Sequence, residues 1–299
     1  MNTVIKTNNL TKKYKDQYAL KDCSININKG EIYGIVGKNG AGKSTLLKLI
    51  SGITFPTSGD MEIFGETNLY AQRKRMSSIV ENPTLFGELS AKENLEYFRI
   101  QRGVPDKGIV YKVLDEVGLG EVGKKQVKKF SVGMKQRLAL ALSLMSNPEV
   151  LILDEPTSGI DPSGIVQIRR LLQNLNKEKG VTIIISSHIL SELANLATKV
   201  AIIDKGEIKE ELSLEELYEK SSSFIELKTS SVEKTTTILE NIFEIKDYEI
   251  KPDSTIMIYD KVDNIELIVK KLVEENIDIY KVLKEHKTLE EYYIELTGE

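Results

Sequence analysis

Hydrophobic positions along the chain follow two rhythms. Up to about residue 210, short runs that are apolar at nearly every position alternate with segments of helical period. The runs are Ile32–Val36, Ser77–Val80, Val150–Leu153, Val181–Ser186 and Val200–Ile203. A strand apolar at successive positions is buried on both faces, which predicts a parallel sheet covered by helices on either side. The stretch from about Pro83 to Pro148 is different, with Leu138, Ala141, Leu142 and Met145 recurring at i, i+3, i+4 and i+7. That spacing predicts a mostly helical insertion, over about 83–148, between two strands of the sheet.

Past about Leu214 the pattern changes again. A Lys/Glu-rich stretch, Ser213 to Lys220, runs into Ser221-Ser222-Ser223, which reads as a linker. Beyond it come an extended segment (Phe224–Lys228), a helix (Val232–Phe243) and an extended pair (Tyr248–Ile250 and Thr255–Tyr259). A second helix carries Ile265, Ile268, Val269, Leu272 and Val273 on one face; an extended Ile277–Leu283 and a last helix through Tyr292 and Leu296 follow. The expected organisation is a large α/β domain over 1–214 and a small α+β domain over 221–299, near the lower size for an independent core.

Composition narrows this picture only a little. Of the 299 residues 40% are apolar and 29% charged, enough for an ordinary core and a soluble surface. The net charge of −4 supplies no bulk attraction for nucleic acid, so none is expected as a partner. Cys23 stands alone, which excludes an internal disulfide and fits a reducing compartment. No window approaches 18 consecutive apolar residues, and the N-terminus lacks the apolar core of a signal peptide. The chain is expected in the cytoplasm, reaching a membrane only through a partner.

Chemistry enters at Gly37-Lys38-Asn39-Gly40-Ala41-Gly42-Lys43-Ser44, which satisfies G-x-x-x-x-G-K-[ST] at every position between a strand and a helix. Its glycines let successive backbone N–H groups turn inward as an anion cradle, and the helix that begins there, with Thr45 in its first turn, adds the positive end of its dipole. Lys43 can reach the β- and γ-phosphates of a nucleoside triphosphate, and the Ser44 hydroxyl can ligate Mg²⁺. A second element, Val150-Leu151-Ile152-Leu153-Asp154-Glu155, is an apolar strand ending in adjacent carboxylates, which a buried strand has no structural need of. Asp154 suits a Mg²⁺ ion and Glu155 a general base for the attacking water. A third, Ile183-Ile184-Ile185-Ser186-Ser187-His188, sets one of two histidines just past a strand, where it can sense a γ-phosphate. His286, in a charged stretch, reads as merely solvated, and Lys124, Lys125, Lys128 and Lys129 as a solvated face.

Taken in order, the phosphate loop, V-L-I-L-D-E-P-T, S-G-I-D and S-S-H resemble the ATP-binding subunit of an ABC transporter over roughly residues 1–210. The resemblance implies that Tyr14 stacks on the adenine ring of ATP. It implies that Phe130-Ser131-Val132-Gly133-Met134 is a form of the family's L-S-G-G-Q signature, with Ser131 and Gly133 kept and the other glycine and the glutamine lost. Ser131 is also a good N-cap for the helix that follows, and the free N–H groups there make a second anion site. In the family that site closes over the γ-phosphate held by another subunit, so two ATP are buried in a head-to-tail dimer, with Asp161 in the loop that crosses between them. Glu81 stands where the usual family member has Gln, at a strand end that contacts Mg²⁺. That Glu and the S-x-G-M-K-Q-R signature resemble the bacitracin-resistance and lantibiotic-immunity branch of bacterial ABC exporters.

The resemblance implies an ATPase subunit, homodimeric or paired with a related ATPase, on the inner face of the cell membrane and powering a separate permease for export of antimicrobial peptides or hydrophobic compounds. A non-transport ABC ATPase acting on ribosomes or DNA fits less well, since the chain holds one cassette and only 23 residues separate Ser131 from Asp154 (154 − 131). A regulatory module with decayed catalysis is opposed by Lys43, Asp154, Glu155 and His188 all being present. The terminal Leu289-Glu290-Glu291-Tyr292-Tyr293 resembles the L-E-x-x-[FY] segment of single-cassette transport ATPases, and the last domain is left with three roles: regulating, strengthening the dimer or touching the permease.

Overall fold

The computed structural model of the chain describes residues 3–80, 85–220, 223–286 and 288–298. They divide into two compact units, Met1–Leu214 and Glu215–Glu299.

The first unit opens with antiparallel strands. β1 (Thr3–Tyr14) pairs with β2 (Gln17–Cys23) on one side and with β3 (Asn26–Asn28) on the other. β4 (Ile32–Val36), buried at all five positions, leads into α1 (Lys43–Ser51). Next come β5 (Ser58–Ile63), which returns to β1, then α2 (Leu69–Arg73) and β6 (Met76–Ile79). The helical insertion supplies α3 (Ala91–Gln101), α4 (Ile109–Glu116) and α5 (Val132–Leu144). The α/β rhythm then resumes through β7 (Val150–Leu153), α6 (Pro162–Lys179), β8 (Thr182–Ser187), α7 (Leu190–Ala194), β9 (Lys199–Asp204) and β10 (Glu207–Ser213).

Two sheets result. The larger has the order β10-β9-β4-β8-β7-β6 and is parallel except for β10, as the uninterrupted apolar runs predict. The smaller is built on β1. Between them lies α1, whose Leu46, Leu47, Leu49 and Ile50 are fully buried in a core that takes residues from both sheets. Burying such side chains contributes about 1.5–3 kcal/mol each, which anchors the helix whose N-terminus forms the site.

The order β4-β8-β7 matters most. It sets the carboxyl ends of three parallel strands side by side, with Val36 opposite Ser187 and Leu153 opposite Ile185. Crevices beyond the carboxyl ends of parallel strands are where such sheets bind ligands.

The second unit begins with α8 (Leu214–Lys220). Ser221 and Ser222 of the expected linker lie outside the described residues, and Ser223 already belongs to the next strand. The unit continues as β11 (Ser223–Thr229), α9 (Val232–Asn241), β12 (Tyr248–Ile250), β13 (Ile256–Ile258), α10 (Ile265–Glu274), β14 (Ile279–His286) and α11 (Leu289–Thr297). The strands order β12-β13-β11-β14, all antiparallel, which is the split βαβ arrangement. Ile225, Leu227, Ile256 and Ile258 of the sheet share one core with Ile238 and Leu239 of α9 and Ile268 and Leu272 of α10.

Candidate nucleotide site

The loop between β4 and α1 owes its shape to two glycines. Gly42, the N-cap of α1, has φ of +115°, and a Cβ there would lie 2.8 Å from the Ala19 carbonyl oxygen. At Gly37 a Cβ would lie 2.4 Å from the Ile203 carbonyl oxygen. Any side chain at either position would push the loop off the sheet. With glycine present, Asn39, Gly40, Gly42, Lys43, Ser44 and Thr45 line a cleft flanked by Ala19 and Glu155. Gly37 and Ala41 are not among the lining residues; the Gly37 N–H donates to the Ser187 carbonyl at 3.3 Å and the Ala41 carbonyl accepts the Gly206 N–H at 2.8 Å.

Lys43 is 4% exposed, and its ammonium has three oxygen partners. It donates to the carbonyls of Gly37 at 2.6 Å and Lys38 at 3.1 Å, and lies 3.2 Å from Glu155 Oε1. The other Glu155 oxygen is 3.1 Å from His188 Nδ1. Glu155 holds φ of +45°, an uncommon conformation for a non-glycine residue and one that concentrates at functional sites. Its backbone N–H donates to the Ser186 hydroxyl at 2.9 Å, and that hydroxyl donates to Asp154 Oδ1 at 2.6 Å. Ser186 is wholly buried and orients both carboxylate residues at once. In the sequence only one signal marks it, the polar pair Ser186-Ser187 that closes an otherwise apolar strand.

The arrangement fits a nucleoside triphosphate and its metal ion. Backbone N–H groups of a glycine-containing loop, an ammonium, a helix N-terminus and the Ser44 hydroxyl are the donors polyphosphate requires. Asp154, fixed by Ser186, offers a hard oxygen of the kind Mg²⁺ prefers, at the end of the neighbouring strand pair.

Other expected residues lie elsewhere. Tyr14 pairs with Gln17 at the end of the β1–β2 hairpin, 48% exposed, with the Lys12 ammonium 4.9 Å from its ring centre; it is not among the residues lining the cleft. Ser131 is the N-cap of α5, its hydroxyl accepting the Met134 N–H at 3.2 Å, and it is exposed. Gly133 faces Ile160: a methyl placed on that glycine would lie 3.4 Å from Ile160 Cγ2. Asp161 is the N-cap of α6, with Pro162 in the first turn; a hydrogen bond from the Ser163 hydroxyl holds its carboxyl below the usual carboxylate range. Ser131, Gly133 and Asp161 thus cluster around one loop and α5, apart from the lining of the cleft. Glu81, expected beside the metal, lies outside the described residues.

Known proteins match this picture. The family model described as ABC transporter matches residues 20–158. The bacitracin transport ATP-binding protein BcrA of Bacillus licheniformis is 42% identical over all of this chain and 98% of its own. The lantibiotic transport ATP-binding protein SrtF of Streptococcus pyogenes is 41% identical over 77% of this chain and 97% of its own. Among solved structures, a dimeric post-hydrolysis state of the ATP-binding cassette MJ0796 bound to ADP and Pi superposes with a TM-score of 0.64 at 30% identity. That match covers 70% of this chain and 98% of the solved one.

Proposed function

Because the chain belongs to the ATP-binding subunits of ABC transporters, we propose that it hydrolyses Mg·ATP to drive export of an antimicrobial peptide, of the bacitracin or lantibiotic kind, through a separate membrane permease. Support for the cargo class comes from the two relatives just described, one of them matched along its whole length. No helix among the described residues is long and apolar enough to cross a membrane, so the membrane passage falls to the permease. The chain then works as a peripheral subunit on the cytoplasmic face.

The observation that carries the reading is the Lys43–Glu155–His188 chain at the mouth of the phosphate loop. In the proposed cycle the backbone of residues 37–44 and the Lys43 ammonium grip the β- and γ-phosphates. Ser44 and Asp154 would hold Mg²⁺, which would supply positive charge to offset that of the phosphates. Tyr14 packs against adenine. Glu155, released from Lys43 as phosphate takes its place, accepts a proton from the water whose oxygen bonds to the γ-phosphorus, while the bond from that phosphorus to the bridging oxygen breaks and ADP leaves; His188 faces the γ-phosphate. Ser131 and Gly133 of a second subunit, with Asp161 beside them, complete the site; the exposure of Ser131 and its absence from the lining of its own cleft support this. Glu81, in place of the family's Gln, adds charge near the metal and alters the Mg²⁺ dependence of turnover.

Measurement of ATP hydrolysis by the native chain and by Glu155→Gln tests this. Loss of a general base is expected to slow turnover by ~10² to 10⁴ while ATP still binds. Turnover near the native rate in that variant removes the assignment.

A further inference from the structure

The loop that follows the two carboxylates is tied down at a point outside the cleft. The Thr157 hydroxyl donates to Glu192 Oε2 at 3.0 Å, and the Ser187 hydroxyl donates to the same oxygen at 3.3 Å. Ser187 is 4% exposed; its hydroxyl accepts the Ile189 N–H at 3.1 Å and its carbonyl accepts the Gly37 N–H. One carboxylate oxygen on α7 therefore joins the end of β8, which touches the phosphate loop, to the segment running from Pro156 to Asp161.

That segment turns on two backbone hydrogen bonds. The Ser158 N–H donates to the Glu155 carbonyl at 3.1 Å and the Ile160 N–H to the Thr157 carbonyl at 3.3 Å. Ile160, 9% exposed, leans on the head of α5 at Gly133. A physical path thus runs from the phosphate loop through Ser187, Glu192 and Thr157 to Ile160 and the start of α5.

We propose that Glu192 is a positioning residue for ATP hydrolysis. By clamping Thr157 to Ser187 it fixes the turn that seats Ile160 against α5. The hydrolytic residues of one cleft and the Ser131 helix start offered to the other are thereby held in one geometry. The inference rests on the roles given above to Glu155 and Ser131. An oxygen with two lone pairs suffices for the clamp, so glutamine can replace the carboxylate and alanine cannot.

The test is steady-state hydrolysis by the full-length chain carrying Glu192→Ala, Glu192→Gln, Thr157→Val, or Glu192→Ala with Thr157→Val. Glu192→Ala is expected to lower kcat about tenfold or more with KM for ATP within about twofold, because the lost contact acts on the transition state and not on ATP binding. Glu192→Gln is expected to restore turnover to within about threefold, and the double variant to be no slower than its slower parent, since both changes break one linkage. A native kcat in Glu192→Ala overturns the proposal, as does equal impairment in Glu192→Gln or multiplied losses in the double variant. Should Glu192→Ala not fold, Thr157→Val with Thr157→Ser as its rescue decides between the same two outcomes. An active Glu155→Gln rejects the site assignment itself, whereas an inactive Glu155→Gln beside a silent Glu192 series rejects only the clamp.

Discussion

Lys43 and Glu155 are ion-paired across the cleft, Nζ to Oε1 at 3.2 Å, at the end of the lysine that a phosphate-binding loop aims at the triphosphate. In the proposed cycle phosphate oxygens replace this pairing. Nucleotide entry would then part the two groups, give the lysine phosphate in exchange for a carboxylate, and leave Glu155 facing the attacking water, so that substrate binding and release of the proposed base would be one event.

Lys43 should matter for affinity more than for fold. Its hydrogen bonds to charged groups are each worth about 1.5–3 kcal/mol, so Lys43→Ala is expected to weaken ATP binding roughly tenfold to hundredfold. Equilibrium binding of a fluorescent ATP analogue measures this. Unchanged affinity would place the triphosphate elsewhere.

Ser131 carries two separable burdens. As N-cap of α5 its loss should cost about 1 kcal/mol, a fall in melting temperature of roughly 2–4 °C in a chain of this size. In the proposed dimer it also donates to the second subunit's nucleotide, so its loss should slow hydrolysis as well. Ser131→Gly keeps most of the capping geometry at a cost of only a few tenths of a kcal/mol. A large kcat loss in Ser131→Gly without a melting shift separates the second burden from the first; native kcat in both Ser131→Gly and Ser131→Ala denies it.

Cys23 offers a check on the core between the two sheets. It is fully buried, and that burial, helped by the nearby Glu211 carboxylate, pushes its thiol up to about 12 from an ordinary 9.0. The folded chain keeps this proton where the unfolded chain releases it. The resulting stability is complete below pH 9 and drains away as pH rises toward 12. At pH 8 a thiol reagent is expected to leave the native chain untouched and to label it fully in denaturant. Rapid native labelling would mean that β2 opens readily.

How much of this was legible in the sequence depends on the residue. Polar groups that close apolar strands stand out, so Asp154, Glu155 and His188 could be found from the chain alone, and the α/β core could be assigned from uninterrupted apolar runs. The run expected at Val181–Ser186 proves to be β8, Thr182–Ser187, because Ser187 is buried and its carbonyl receives the Gly37 N–H. The sheet built on β1 went unread. Its register slips between Leu10 and Lys12 against β2 and between Asn8 and Thr11 against β5, which breaks the two-residue alternation that marks a strand. Thr157, Ser187 and Glu192 were invisible as a group, being ordinary polar residues whose meeting depends on β8 lying beside β7.

In the proposed assembly each chain's α5 helix start completes the triphosphate site of another chain. Light scattering on Glu155→Gln, with and without saturating Mg·ATP, reads it directly. A shift from one chain's mass to twice that mass on adding Mg·ATP, absent when Ser131 is also replaced by Arg, is the predicted result. A single-chain mass under saturating Mg·ATP, with the nucleotide bound, would contradict it.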